Sequence, residues 1–164
     1  MTTAMNVAMY LLAHDKTGKL RDKTIVEKNG RRFYAGNACL NKYLHIAQNL
    51  YLAKTGEKLF VDDLYAYDNG AVVPEVQEKY GILLNTSNAP SVDVDKVSFL
   101  DKVMLLLKMA TLDELIEISH EDDEWIDKHG FYRKKDQLMD SEKRIEAYRE
   151  QYDDALVLME GVGV

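Results

Sequence analysis

The segment from Leu40 to Gly56 constrains the fold more than any other part of the sequence. Its apolar residues recur at the three- and four-residue spacing of one helical face. They are Leu40, Tyr43, Leu44, Ala47, Leu50 and Tyr51. A glycine at position 56 is suited to end a helix in a left-handed conformation, and Asn37 is suited to cap its start. The sequence therefore predicts a long helix over 37–56 that packs against the rest of the chain.

The same periodicity predicts further helices before and after this one. They cover an N-terminal stretch that ends near Asp15, residues 74–81, 94–110 and 111–125, and a C-terminal helix over 139–160. The helix at 111 has the spacing of a capping box, with Thr111 at its start and Glu114 three residues later. Gly81 is expected to close the helix at 74–81.

Two Asn-Gly pairs predict the only tight turns between extended segments. Asn29-Gly30 lies between β-forming residues and predicts a hairpin over 24–34. Asn69-Gly70 follows a short aromatic run and precedes Ala-Val-Val and Pro74, which is suited to the first position of a helix. This second stretch, "YAYDNGAVVPEV" at 65–76, reads as strand, turn, buried link and helix start.

These elements predict a mainly α fold, a single compact domain of about six helices with a small β-hairpin or short strands. The whole of 1–164 fits one domain of ordinary size. Hydrophobic residues make up 46% of the chain and charged residues 30%, which is typical of a folded globular protein.

The overall charge argues against a nucleic-acid binder. The net charge is −7, whereas proteins that neutralise phosphates usually carry a basic excess. Seven lysines and arginines nevertheless lie between Lys16 and Arg32, and eight acidic residues lie between Thr111 and Asp127. The basic stretch Lys19–Arg32 leaves a nucleic-acid-binding regulator open as a lesser alternative. The two segments could steer a protein partner, or they could face each other within the fold.

Location is inferred from cysteine usage and from apolar runs. Cys39 is the only cysteine, so no intrachain disulfide can form and a reducing cytoplasmic setting is expected. The N-terminal apolar stretch of about ten residues is too short to cross a bilayer and lacks a basic flank. We therefore expect a soluble protein with no membrane partner.

The acidic segment around His120 is the most tempting site for chemistry. A metal could use His120, Asp123, Glu124 and His129, but no spacing singles out that set. A metalloprotease motif would need a second histidine four residues after the first, and Glu124 stands there. We expect an acidic helix end whose histidine makes a buried hydrogen bond, with Trp125 as an anchor after the helix.

Nucleophilic catalysis has weaker support. A helix start could lower the pKa of Cys39, but His45 is six residues away and points to a different helical face. The sequence has no nucleophile elbow, phosphate-binding loop or dinucleotide fingerprint. We predict a protein that is not an enzyme, with no metal and no cofactor.

Three separated stretches resemble one known family. "LNKYLHIAQNLYLAKTGEKLF" (40–60) resembles a helix followed by a Gly-x-x-Leu-Phe turn, and "LYAYDNGAVVPEVQEKYG" (64–81) resembles an elbow ending in Val-Val-Pro-Glu-Val. "LDELIEISHEDDEW" (112–125) resembles a Leu-x-x-Leu-Thr-His-x-x-x-x-Trp ending. The family is the Panacea domain family, also described as SocA-like antitoxins and GepA-type phage-associated proteins.

The resemblance covers about 38–127 and assigns the family-motif positions. They are Leu40, Lys42, Leu44, Ala47, Gln48, Gly70, Val72, Val73, Pro74, Val76, His120 and Trp125. Two positions depart from the pattern, since Ala71 replaces a proline and Ser119 replaces a threonine. The N-terminal helix with the basic hairpin (1–36) and the C-terminal helix (139–160) are additions outside the motifs, where partner specificity is expected.

The resemblance implies an antitoxin encoded by a prophage or mobile element. Such a module neutralises a cognate protein toxin by direct binding, here through a tyrosine-rich and unevenly charged surface. Two alternatives stay open, a proteolytic adaptor for a protein partner and a phage-associated metal-dependent enzyme using His120 and nearby acidic residues. The sequence does not identify the toxin, and it leaves a homo-oligomer open.

Overall fold

A computed structural model of the chain describes residues 2–86, 90–130 and 137–161. The helices in these ranges are α1 (Ala4–His14), α2 (Ala35–Thr55), α3 (Pro74–Glu78), α4 (Tyr80–Leu84), α5 (Val94–Leu107), α6 (Leu112–His120), α7 (Asp123–Gly130), α8 (Ile145–Gln151) and α9 (Asp153–Glu160). The strands are β1 (Ile25–Lys28), β2 (Arg31–Tyr34), β3 (Tyr65–Tyr67), β4 (Gly70–Val72) and β5 (Gln137–Leu138), and short 3-10 turns cover Lys19–Arg21 and Ser141–Arg144. None of these helices is long and apolar enough to span a membrane. The mainly helical class is confirmed, with more and shorter helices than expected.

The other elements pack around α2. This helix contacts α1, α3, α5, α6 and α8, together with the first hairpin and β4. Every residue from Cys39 to Ala53 is buried, so α2 is enclosed on all sides and not only on its apolar face. Gly56 ends it with a φ of 78°, which confirms the predicted stop.

The predicted cap of α2 at Asn37 is wrong. The helix begins two residues earlier, at Ala35, directly after β2. The N–H groups of Ala35 and Gly36 donate to the carbonyl oxygens of Thr24 and Asp22, each at 2.8 Å. Because backbone carbonyls satisfy these first N–H groups, a capping side chain is not needed.

Both Asn-Gly turns form as predicted. In the first hairpin, Asn29 and Gly30 have φ values of 52° and 74°, the left-handed pair of a type I′ turn. In the elbow, β3 and β4 pair antiparallel with Tyr67 opposite Gly70, and β5 pairs on the other side of β3. Pro74 occupies the first turn of α3, so the predicted helix start is also confirmed.

Three predicted helices are broken into shorter ones. The stretch 111–125 divides into α6 and α7, with a break at residues 121–122. The stretch 74–81 divides into α3 and α4 at Lys79, and Gly81 lies inside α4 instead of ending a helix. The C-terminal stretch 139–160 contains a 3-10 turn, α8 and α9, with a break at Tyr152, where φ is −103° and ψ is 16°. The spacing of apolar residues does not reveal a helix break of one or two residues, because the residues on either side keep their helical pattern.

Both ends of the chain contribute to one hydrophobic core. Leu11 in α1 and Tyr148 in α8 are fully buried, as is Leu40 in α2. All three belong to the same cluster of contacting side chains. Segments that lie outside the family motifs therefore pack against the segment that carries them.

Candidate functional site

Five polar side chains of α2 are buried inside the molecule. Asn41, Lys42, His45, Gln48 and Asn49 are each at most 2% exposed. Spacings of three and four residues bring such side chains together on one face of a helix. Burying a polar group costs free energy unless it is hydrogen-bonded, so the partners of these residues determine what the face can do.

His45 lies between a serine and a carboxylate. Its Nδ1 is 2.9 Å from Oγ of Ser119 and its Nε2 is 2.6 Å from Oδ2 of Asp122. With the ring proton on Nε2, His45 donates to Asp122 and accepts from the Ser119 hydroxyl. The Ser119 oxygen in turn accepts from the backbone N–H of Ala71 at 3.1 Å. This proton assignment gives each of these atoms a matching partner.

Asp122 is the centre of the network. It also accepts hydrogen bonds from Asn49 Nδ2 at 2.9 Å, the Tyr148 hydroxyl at 2.7 Å and the Glu124 N–H at 2.8 Å. Burial raises the pKa of Asp122, but the hydrogen bonds from His45, Tyr148 and Asn49 together outweigh burial and hold the pKa below its usual range. The carboxylate thus joins α2, the α6–α7 junction and α8.

Ser119, His45 and Asp122 are the residue types of a hydrolase triad, but their geometry differs from one. In a hydrolase triad Nε2 faces the serine and Nδ1 faces the carboxylate; here the two nitrogens are exchanged. All three side chains have no exposed surface. The arrangement favours cross-linking of helices over acyl transfer.

Gln48 fixes the turn that follows α2. Its Oε1 accepts from the backbone N–H groups of Leu59 at 2.7 Å and Phe60 at 3.2 Å. Its Nε2 donates to the carbonyl oxygen of Phe60 at 2.9 Å. One side chain thereby satisfies three buried backbone groups of the Gly-x-x-Leu-Phe turn, which accounts for glutamine at this motif position.

Lys42 is the least satisfied of the five. Its Nζ donates to the carbonyl oxygen of Ala71 at 3.4 Å, and burial lowers its pKa from 10.5 to about 8. A Cβ atom on Gly70 would lie 2.4 Å from Cε of Lys42 and 2.6 Å from Oγ of Ser119. Gly70 also has a φ of 116°, so both its conformation and its contacts require glycine.

His120 and Trp125 meet in a stack of three rings. The Trp125 ring centre is 4.0 Å from that of His120 and 4.5 Å from that of His129, with interplanar angles of 13°. Trp125 Nε1 donates to the carbonyl oxygen of Tyr67 at 2.9 Å, which anchors α7 on β3. Burial and the nearby charge of Lys42 lower the pKa of His120. The two motif residues therefore contact each other through their rings.

The remaining motif positions lie in the core or beside it. Leu40 and Leu44 of α2 have no exposed surface, Val73 is 2% exposed and Val76 has none. Pro74 is partly buried at the start of α3. These positions hold the shape of the elbow against α2.

The metal alternative finds no geometric support in the ranges that the structure describes. No group of three or more histidine, cysteine, aspartate or glutamate side chains is placed to hold an ion there. Glu124 accepts instead from the N–H of Asp140 at 2.7 Å and pairs with Arg144 at 3.2 Å. His120 and His129 lie on opposite faces of the Trp125 ring system.

The nucleophile alternative is also not formed. Both ring nitrogens of His45 are occupied by Ser119 and Asp122, so Cys39 has no base there. Cys39 is 2% exposed, and burial raises its pKa to about 11. The suggestion that the helix start would lower this pKa is wrong, because burial dominates.

The basic and acidic segments face each other in part. Lys28 pairs with Asp113 at 2.8 Å. Lys19 Nζ donates to the carbonyl oxygens of Leu107 and Ala110, each at 2.8 Å, and so caps the end of α5. Part of the uneven charge is therefore paired or hydrogen-bonded within the chain.

The expected tyrosine-rich surface is reduced in the structure. Most of the described tyrosines are buried: Tyr10, Tyr43, Tyr51, Tyr80, Tyr148 and Tyr152.

Sequence reasoning missed the network around Asp122. One signal was present, since Asn41, His45 and Asn49 place polar residues at four-residue intervals on a helix that is apolar elsewhere. That pattern indicates a buried polar stripe and not a solvated face. It could not have identified Asp122 or Tyr148 as the partners.

Comparison with known proteins identifies the family. Residues 40–126 match the family model described as antitoxin SocA-like, Panacea domain. A search of curated proteins and a search of solved structures found no match. The matched range runs from α2 into α7 and contains every motif position discussed above. The chain therefore belongs to the SocA-like antitoxin family with the Panacea domain.

Proposed function

We propose that the chain is an antitoxin that binds a cognate protein toxin directly and holds it inactive. The observation that carries the proposal is the family match over residues 40–126. As the family resemblance implies, we further propose that it acts in the cytoplasm and is encoded with its toxin on a prophage or mobile element.

The arrangement of the chemical groups supports binding over catalysis. Ser119, His45 and Asp122 have no exposed surface and bond to one another. Gln48 is used by a backbone turn, and the ring of His120 is stacked on Trp125. We propose that these residues maintain the binding surface and that the chain is not an enzyme.

The outer face of the first hairpin is the surface that best suits the toxin. Antiparallel partners share one face of a sheet, and the register pairs Ile25 with Tyr34 and Glu27 with Arg32. All four are exposed, with Ile25 at 55% and Tyr34 at 43%. We call these four residues the outer hairpin face.

The opposite face of the hairpin has a role in the fold. There Lys28 pairs with Asp113, and Arg31 pairs with Asp68 at 3.4 Å. The outer hairpin face therefore presents Ile25, Tyr34 and Arg32 at the surface, and tyrosine and arginine are enriched in binding hot spots. Charge reversals in 128–152 are also expected to alter partner binding, and that stretch includes residues 131–136, which lie outside the described part of the chain.

Growth assays test the proposal. A small reading frame beside the gene is expressed alone and together with this chain, and we expect growth arrest in the first case and normal growth in the second. Repeating the assay in a host without its ATP-dependent proteases separates sequestration from adaptor-assisted degradation, because sequestration persists there. The proposal would be contradicted if this chain, co-expressed with each toxic neighbouring reading frame in turn, never relieved the growth arrest.

Paired variants test the surface. Ile25→Asp should weaken toxin binding at least tenfold, since it places a charge among apolar contacts. Val157→Asp is the matched control, because Val157 is also exposed, at 64%, but lies on α9. Equal affinities for the two variants would remove the outer hairpin face from the interface.

A further inference from the structure

Lys42 is a buried cation without an anionic partner. It is 2% exposed, and its Nζ makes one long hydrogen bond, to a carbonyl oxygen. Within the described part of the chain no carboxylate pairs with it. Cys39, whose thiolate would favour the protonated lysine, remains a neutral thiol because burial raises its pKa to about 11. A buried charge of this kind normally has a partner.

A pocket opens beside this lysine. Its volume is about 50 Å³, and its walls come from β2, α2, the β3–β4 turn and α3. A space of that size holds a single small polar group or a few waters. Lys42 is one of the residues that line the pocket.

The charges around the pocket favour an anion. Arg31 and Lys42 contribute two positive charges and Asp68 one negative charge, which leaves one positive charge in a protein whose net charge is −7. Asp68 is already paired with Arg31 at 3.4 Å and His129 at 2.9 Å. The lysine therefore retains the unmatched charge.

A second group in the pocket also lacks a partner. Gln77 lines it, and Oε1 of this side chain is buried without a hydrogen bond. The two ends of an amide exchange when the group turns by half a rotation, so Gln77 can present its Nε2 donor to an anion. Asn41, by contrast, donates to Asn37 and accepts from Val73, so it is already satisfied.

Gly70 supplies the space in which the lysine lies. A Cβ at this position would be 2.4 Å from Cε and 3.0 Å from Nζ of Lys42. Gly70 also lines the pocket, so a side chain at this position would displace the end of Lys42 beside it.

We propose that this pocket is a carboxylate-binding site, in which Lys42 receives the anion, Arg31 flanks it and Gln77 donates the remaining hydrogen bond. A carboxylate suits this set of donors, because it offers one acceptor oxygen to the ammonium group and one to the amide. The carboxylate has two sources, an acidic side chain or chain end of a protein partner, or a free small acid. The first source rests on the function proposed above, whereas the second does not.

Nuclear magnetic resonance of the isolated full chain tests the site without the toxin. The Cε resonance of Lys42, assigned by its loss in Lys42→Met, is followed through a pH titration in chloride and in acetate. We expect acetate to raise the pKa of Lys42 by about one unit, a tenfold preference for the protonated form. The Cε resonance of exposed Lys23 is the internal control, and its chemical shifts should be the same in chloride and in acetate.

Variants and other anions complete the test. Arg31→Ala and Gln77→Ala, both at partly exposed positions, should each reduce the acetate response several-fold while the chain stays folded. Two peptides with blocked ends, one with a single glutamate and one with none, are then tested for the same response of Lys42. A response to the glutamate peptide indicates a carboxylate supplied by a protein, whereas a response to acetate alone indicates a free small acid. The proposal would be overturned if the pKa of Lys42 were the same in acetate as in chloride, or if phosphate raised it as much as acetate does. Toxin neutralisation could still hold in either case.

Discussion

Asp122 and Lys42 are two buried charges beside the same helix, and the protein treats them in opposite ways. Asp122 accepts hydrogen bonds from His45, Asn49, Tyr148 and the backbone of Glu124. Among the residues that the structure describes, Lys42 makes one hydrogen bond of 3.4 Å, to a carbonyl oxygen, and pairs with no carboxylate. The first charge is compensated inside the fold, and the second is not.

Whether a buried charge is compensated distinguishes residues that stabilise the fold from residues that are available to bind a ligand. A compensated charge stabilises because removing it would leave its partners buried and unpaired. An uncompensated charge costs stability, and sites that sacrifice stability are frequently functional. We therefore assign the Asp122 network to the fold and the Lys42 pocket to binding, although both carry polar residues of one helix.

The largest effect is expected from Asp122→Ala. It leaves His45, Asn49 and Tyr148 without their shared acceptor, and breaking a buried charge network typically costs about 3–5 kcal/mol. Urea unfolding measures the loss. The matched control is Asp123→Ala, because Asp123 is exposed and adjacent in sequence. Equal losses for the two variants would show that the network does not stabilise the fold.

Lys42→Met should act in the opposite direction. Methionine fills a similar volume without a charge, and replacing an uncompensated buried charge by an apolar side chain is often stabilising. The pKa of about 8 against an ordinary 10.5 corresponds to a gain of about 3 kcal/mol at pH 7. The urea midpoint should rise, while the acetate response disappears. A destabilised Lys42→Met would mean that the lysine has a partner within the fold.

The pH dependence of stability sharpens the same contrast. The folded pKa of Lys42, about 8, lies below its ordinary value of 10.5, so the unfolded chain holds more protons between these two values. The free energy of unfolding therefore gains a rising contribution over that window. Unfolding at several pH values should show the advantage of Lys42→Met shrinking from pH 8 upward. A constant difference between the two proteins would contradict the assignment.

The smallest of these effects is expected at Gln48. Gln48→Ala leaves the N–H groups of Leu59 and Phe60 and one carbonyl oxygen without their partner, at a cost of about 2 kcal/mol. Gln48→Glu keeps an acceptor for the two N–H groups and should recover part of the loss. If thermal unfolding shows no difference between these variants, water replaces the side chain and the turn does not depend on it.

Local signals predicted much of the fold. The turn at Asn29-Gly30, the helix start at Pro74 and the capping box of Thr111 with Glu114 all form, because each depends on dihedral preferences or contacts within a few residues. The helix breaks at Lys79, at residues 121–122 and at Tyr152 were not predicted, since no proline or glycine stands at any of them.

The site was harder to predict because its contacts are distant in sequence. Ser119 and Asp122 lie 74 and 77 residues from His45, and Tyr148 lies 26 residues from Asp122. The motif positions themselves follow from the family resemblance, but their division into core residues, turn-fixing residues and one unmatched lysine depends on packing that no local pattern encodes.

Direct binding is the central claim, and calorimetry tests it most simply. The purified chain is titrated into the purified toxic product of a neighbouring gene, with Asp123→Ala as a folded control. We predict saturable binding with a fixed stoichiometry, which the control retains and Ile25→Asp weakens. Toxicity that is suppressed in cells without any measurable binding between the two purified proteins would contradict the account.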